Sequence, residues 1–90
     1  MSQAIVDPEQ LRQFAMMLKR FNETLGSASG MLRQEMERLA STWRDQEHQK
    51  FSLEFEDQIK QLGRLVEASQ RHIPYLIKKA ELIEEYQKRG

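Results

Sequence analysis

The sequence predicts an all-α fold, an antiparallel two-helix hairpin that dimerises into a four-helix bundle. Three observations carry this prediction. Apolar residues recur at spacings of three and four through two long stretches. One short segment, Trp43 to His48, interrupts them. No stretch alternates apolar and polar residues between turn signals as a strand would. At 90 residues the chain has room for one small domain, 1–90, with a first helix over about 8–42, a turn over about 43–46 and a second helix over about 47–88.

The first helix starts at Asp7-Pro8-Glu9-Gln10-Leu11. Asp7 can cap free backbone amides, Pro8 suits the first helical position, and Gln10 completes a capping box, with Val6 and Leu11 forming a hydrophobic staple. Beyond it, Leu11, Phe14, Leu18, Phe21, Leu25, Ala28, Leu32, Met36, Leu39 and Trp43 share one helical face. The segment Gly26-Ser27-Ala28-Ser29-Gly30 weakens this pattern, because each interior glycine costs about 1 kcal/mol relative to alanine. Two readings stand: an intact helix whose small residues let a neighbour approach closely, or a break.

In the turn, Trp43 is expected to organise the reversal, with Phe51 close by; part of its ring could also anchor a partner. Asp45 and Thr42 compete to cap the second helix. That helix carries Phe51, Phe55, Ile59, Leu62, Val66, Ser69, Ile73, Leu76, Ala80 and Ile83, which from Phe55 onward approaches the heptad of a coiled-coil seam. Pro74 falls inside it and predicts a kink near Gln70 to Pro74, since the ring cannot donate to the Gln70 carbonyl while the apolar register continues beyond. Lys88, Arg89 and Gly90 make a natural end. Carboxylates four residues before a cation, Glu56 with Lys60, Glu67 with Arg71, Glu84 with Lys88 and Glu85 with Arg89, are expected to pair along the second helix.

Two helices of this length make only a narrow rod, and a rod two helices wide encloses little core. Met17 and Met31 edge the first stripe, while Leu53, Ala68, Tyr75, Leu82 and Tyr86 lie off the Phe55 seam. These seven define a candidate dimer or partner surface, and a second hairpin packed there would complete a four-helix bundle. A homodimer is the expected pairing, because a chain with balanced charge needs no complementary partner; a related heterodimer is the alternative.

Composition and motif spacing exclude most chemistry. There is no cysteine, so neither a disulfide nor a thiolate metal site can form. His48 and His72 are too far apart to share a metal within one chain, and the many carboxylate pairs have no enclosed site to separate their pKa values. No nucleophile elbow or phosphate-binding glycine loop is present. The expectation is therefore no enzyme, no cofactor and no metal. With 14 Lys and Arg against 14 Asp and Glu, and with Lys19-Arg20 and Lys78-Lys79 both closely followed by acid, no nucleic-acid or membrane binding is expected. The stretch Ser2-Gln3-Ala4-Ile5-Val6 is too short and uncharged for a signal peptide, and no run approaches a membrane span. The chain is expected to be soluble and cytoplasmic, with any export independent of a signal peptide.

Length, lack of cysteine, two long amphipathic stretches and Trp43 followed eight residues later by Phe51 together resemble the WXG family, helical hairpins of about one hundred residues with a Trp-x-Gly turn. The resemblance spans nearly the whole chain. It implies pairing into four-helix bundles and a role as a type VII secretion substrate or as an escort for a larger one; a cytoplasmic adaptor or structural protein is the alternative. Two features depart from the family pattern. Asp45 stands where the glycine would be, and the export signal, a tyrosine with an acid four positions on, is missing: Lys79 follows Tyr75 at that spacing, and Gly90 follows Tyr86.

Overall fold

The computed structural model describes residues 6–89. The residues before Val6, read above as no signal peptide, and Gly90, read as a helix end, lie outside that range. Two helices, α1 (Pro8–Ala40) and α2 (Gln46–Arg89), pack against each other along their length. The result is a rod of 68 × 20 × 16 Å.

Asp7 and Pro8 start α1 as their chemistry predicts. Asp7 has extended backbone and its carboxylate accepts from the Glu9 N–H at 2.9 Å, with Pro8 as the first helical residue. The helix is uninterrupted through Gly26 and Gly30. Close approach is not what those glycines provide. A Cβ added at Gly26, Gly30 or Gly63 would meet no atom within 4 Å.

At its C-terminus α1 leaves carbonyls that local donors satisfy. The Ser41 hydroxyl donates to Arg38 O, the Thr42 hydroxyl to Leu39 O, and the Arg44 guanidinium to Ser41 O. Thr42 is thus spent on α1. Asp45 begins α2, its carboxylate accepting from the His48 N–H at 3.1 Å. The Asp45 carboxylate supplies what this turn needs, an oxygen for the free amides of α2, and no residue with positive φ is required anywhere among the described residues.

α2 runs through Pro74 without a break. A proline there removes one ladder bond and crowds the preceding turn, costs that a helix outlasts only when packing holds both sides. Ile73 and Leu76 are half-buried and Ala80 is fully buried, so both sides are held.

The seam is a heptad repeat in each helix. In α1 it consists of Leu11, Leu18, Leu25, Leu32 and Leu39 alternating with Ala15, Asn22, Ser29 and Met36, and Trp43 continues the same spacing into the turn; in α2 it consists of Phe55, Leu62, Ser69, Leu76 and Ile83 alternating with Ile59, Val66, Ile73 and Ala80. Among the described residues, those that are buried are Ala15, Asn22, Ile59 and Ala80. Phe14 and Phe21, assigned to the packing face from spacing alone, stand 56% and 57% exposed. Spacings of three and four fit several adjacent lines on a helix, and the line that meets α2 is the one that puts small residues at closest approach. Ala15 and Asn22 occupy it, one residue further along. Leu32 and Leu39 keep their seam positions but are largely exposed.

Candidate partner-binding surface

At the turn, Trp43 is half-buried. Its ring meets His48 edge-on with centroids 5.1 Å apart and Phe51 at 5.7 Å, and Phe51 stacks on Phe55 at 6.1 Å. The Asp45 cap sets the first turn of α2 so that positions 48 and 51 both face back toward Trp43. His48 is half-buried, with its Nε2 3.3 Å from the Ser52 hydroxyl. His72 is exposed far along α2. The tip of the rod is thus clasped by aromatic contacts.

The two broad faces of the rod differ. Heptad positions within about 100° of the seam place one set of flanking residues from α1 and one from α2 on the same side of an antiparallel pair. On one side these are Arg12 and Arg33 of α1 and Glu56 and Glu84 of α2, which pair across the helices. Arg12 grips Glu84 through both Nη2 and Nε, and Arg33 lies 3.9 Å from Glu56. Along α2 itself only Glu85 with Arg89 forms, at 3.2 Å. Glu56 and Glu84 reach across the hairpin instead of to Lys60 and Lys88, because a flanking position faces the opposite helix. Hydrogen bonding from Arg12 holds the Glu84 carboxyl below the usual carboxylate range, and the same bond raises Arg12.

The other side carries a second heptad stripe on each helix: Phe14, Met17, Phe21, Thr24, Ala28 and Met31 on α1, then Leu65, Ala68, His72, Tyr75, Lys79, Leu82 and Tyr86 on α2. Tyr75 is 61% exposed, Leu82 55%, Met17 65% and Met31 67%. Scattered single apolar residues on a surface need no explanation, whereas a continuous stripe in heptad register does. Of the seven residues expected at a partner surface, Met17, Met31, Ala68, Tyr75, Leu82 and Tyr86 fall on this side. Leu53 is exposed as well, but its heptad position lies on the opposite side of α2. Phe14, Phe21 and Leu65 belong to the stripe and were not assigned to it. The repeat of leucine every seven residues from Leu11 to Leu39 was the signal that separates the two stripes of α1.

The fold and the site together define a two-helix hairpin with an aromatic-clasped turn and one exposed apolar face. The particular family follows from comparison with known proteins. The chain matches the family described as "WXG100: Proteins of 100 residues with WXG" over residues 3–86, and it belongs to that family. The family's proteins are non-catalytic secretion substrates, and this chain is not an enzyme. No curated protein and no solved structure matches it. No helix among the described residues is long and apolar enough to cross a membrane.

Proposed function

We propose that the chain acts by pairing with a second helical hairpin across its Phe14–Tyr75–Leu82 face, forming a four-helix bundle, and that it serves type VII secretion as a substrate or as the escort of one. The observation that supports this is the uncovered heptad stripe, because a second apolar line beside the first is what a helix needs to contact two neighbours at once. Family membership supplies the link to secretion. Neither Tyr75 nor Tyr86 has an acid four positions on, which favours the escort reading, with the export signal carried by the partner.

Detection of the protein outside unbroken cells, dependent on the type VII motor and on a co-expressed partner, is the expected result. Retention in the cytoplasm with the motor active would favour an adaptor role instead. For the pairing itself, Tyr75→Glu with Leu82→Glu is expected to abolish association while leaving helix content unchanged, since both side chains are exposed in the lone hairpin.

A further inference from the structure

The side of the rod that carries the Arg12–Glu84 and Arg33–Glu56 pairs has a groove at its middle. Ile59, Leu62 and Val66 floor it and Gly26, Gly30 and Gly63 keep its walls low, over a volume of about 380 Å³. Within the hairpin a Cβ on those glycines would meet no atom within 4 Å, so the space above them is open to the backbone of another chain. Charge divides at this groove. Arg33 and Lys60 stand at the end nearer the turn, while Glu23 and Glu67 lie past the other end by helix count. Further out on the same line of α1, Lys19 follows Glu23 and Glu37 follows Arg33. Between residues 16 and 40 no other charged side chain shares the heptad positions of Gly26 and Gly30: Arg20 lies on the outer edge, and Glu35 and Arg38 pair with each other at 3.3 Å on the apolar side. On α2 between residues 53 and 74 these positions hold Lys60, Glu67 and also Glu56, which Arg33 of its own chain meets at 3.9 Å; Asp57, Arg64 and Arg71 occupy the outer edge. Lys19, Glu23, Glu37, Lys60 and Glu67 are exposed and form no ion pair among the described residues.

A surface that docks on itself must match itself after a two-fold rotation, so that residue i meets j while j meets i. This one does. Turned about the point midway between Gly26 and Gly30, α1 brings Lys19 to Glu37, Glu23 to Arg33 and Gly26 to Gly30 of a second copy. The same rotation turns α2 about Gly63, bringing Lys60 to Glu67 and setting Glu56 near Arg71. The alternative, α1 laid over the second copy's α2, would set Glu23 against Glu67 and Arg33 against Lys60, like charge on like, which disfavours it. We propose that the groove is a docking site for a second copy of this chain, α1 on α1 and α2 on α2 in antiparallel sense, with glycine facing glycine at the waist and opposite charges meeting on both sides of it. The site lies on the side away from the Phe14–Tyr75–Leu82 face and does not depend on the pairing proposed there. A hairpin can use both faces at once, so that paired hairpins stack through their outer sides. Because exposed charges carry the contact, it is weak and sensitive to salt.

Closing the apolar face isolates the groove, and Tyr75→Glu with Leu82→Glu supplies that background. In sedimentation equilibrium at about 20 mM salt, where the screening length is longer than about 20 Å, this parent is expected to rise above single-chain mass as its concentration approaches about 1 mM. At about 0.5 M salt it is expected to remain single. Two half-swaps are then made in it, Lys19→Glu with Glu23→Arg and Arg33→Glu with Glu37→Lys. Neither changes the net charge. Each alone sets like charges against each other across the two-fold and is expected to associate at least about tenfold more weakly than the parent, whereas their equimolar mixture restores every pair on α1 and is expected to regain the parent's constant. A parent that stays single at low salt, half-swaps as tight as the parent, or a mixture no tighter than its components overturns the proposal. These outcomes leave the apolar face untouched, since its own test is made at high salt. Should a half-swap lose helix content, Gly30→Gln with Gly63→Gln in the same background probes the groove without touching its charges. The hairpin has room for both side chains, and the filled groove is expected to lose self-association at low salt; an unchanged constant contradicts the proposal.

Discussion

Replacing Gly26, Gly30 and Gly63 together by alanine is expected to stabilise the hairpin. All three are exposed and interior to their helices, and an added Cβ meets no atom within 4 Å at any of them. The gain therefore has no steric term to offset it. An interior glycine is about 0.5 to 1 kcal/mol less favourable than alanine, largely because the unfolded chain is freer with glycine, so the triple variant gains about 1.5 to 3 kcal/mol. For a chain of this size about 1 kcal/mol moves the melting temperature by roughly 4 to 8 °C. Thermal unfolding followed by circular dichroism, at equal concentrations so that association does not intrude, is expected to show a rise of at least about 6 °C. A fall would mean that the helices are interrupted at these glycines, or that a contact occupies the space above them, and the description of both helices as continuous would fail.

Four further outcomes are expected. Asn22 is 4% exposed and neither its amide nitrogen nor its oxygen has a partner; Asn22→Leu is expected to raise stability by about 1 to 3 kcal/mol in urea titration, and a loss would show that the amide is satisfied in solution. Asp45→Ala should cost about 1 kcal/mol through loss of the α2 cap, whereas Asp45→Gly, which restores the family's residue, should cost only a few tenths; equal losses would contradict the capping role. Trp43→Ala removes the contacts to His48 and Phe51 and is expected to cost up to about 3 kcal/mol, the ring being only half-buried; an unchanged melting curve would reject its structural role. The depressed Glu84 carboxyl contributes stability that is complete above its ordinary pKa of 4.5 and is lost as pH falls through its lower folded value. Glu84→Gln is therefore expected to shrink the acid-induced loss of stability below about pH 4.5, and a profile identical to that of the unmodified protein would remove the ion pair from the account.

Both helices and the reversal between them were legible from the chain, because cap residues and apolar periodicity are local signals. Asp7, Pro8 and Asp45 act where their chemistry places them. The assignment of faces was less legible. Phe14 and Phe21 outweigh Ala15 and Asn22 on any hydrophobicity scale, yet two helices close on their smallest side chains and leave the large ones for another neighbour. Small and polar residues in the seam carry no hydrophobic signal of their own, and only the sevenfold leucine repeat points to them. The cross-helix pairing of Arg12 with Glu84 was likewise hidden, since partners 72 residues apart are set by the register of the hairpin and by nothing local.

The most direct test of the account is sedimentation equilibrium at about 0.5 M salt, where contacts between surface charges are screened, on the unmodified chain and on Tyr75→Glu with Leu82→Glu. The unmodified chain is expected to reach twice its 10.7 kDa mass as concentration rises, and the variant to remain single with its helix content intact. An unmodified chain that stays single at the highest concentration, or a variant that pairs as well as its parent, would contradict the claim that this face is where a second hairpin docks.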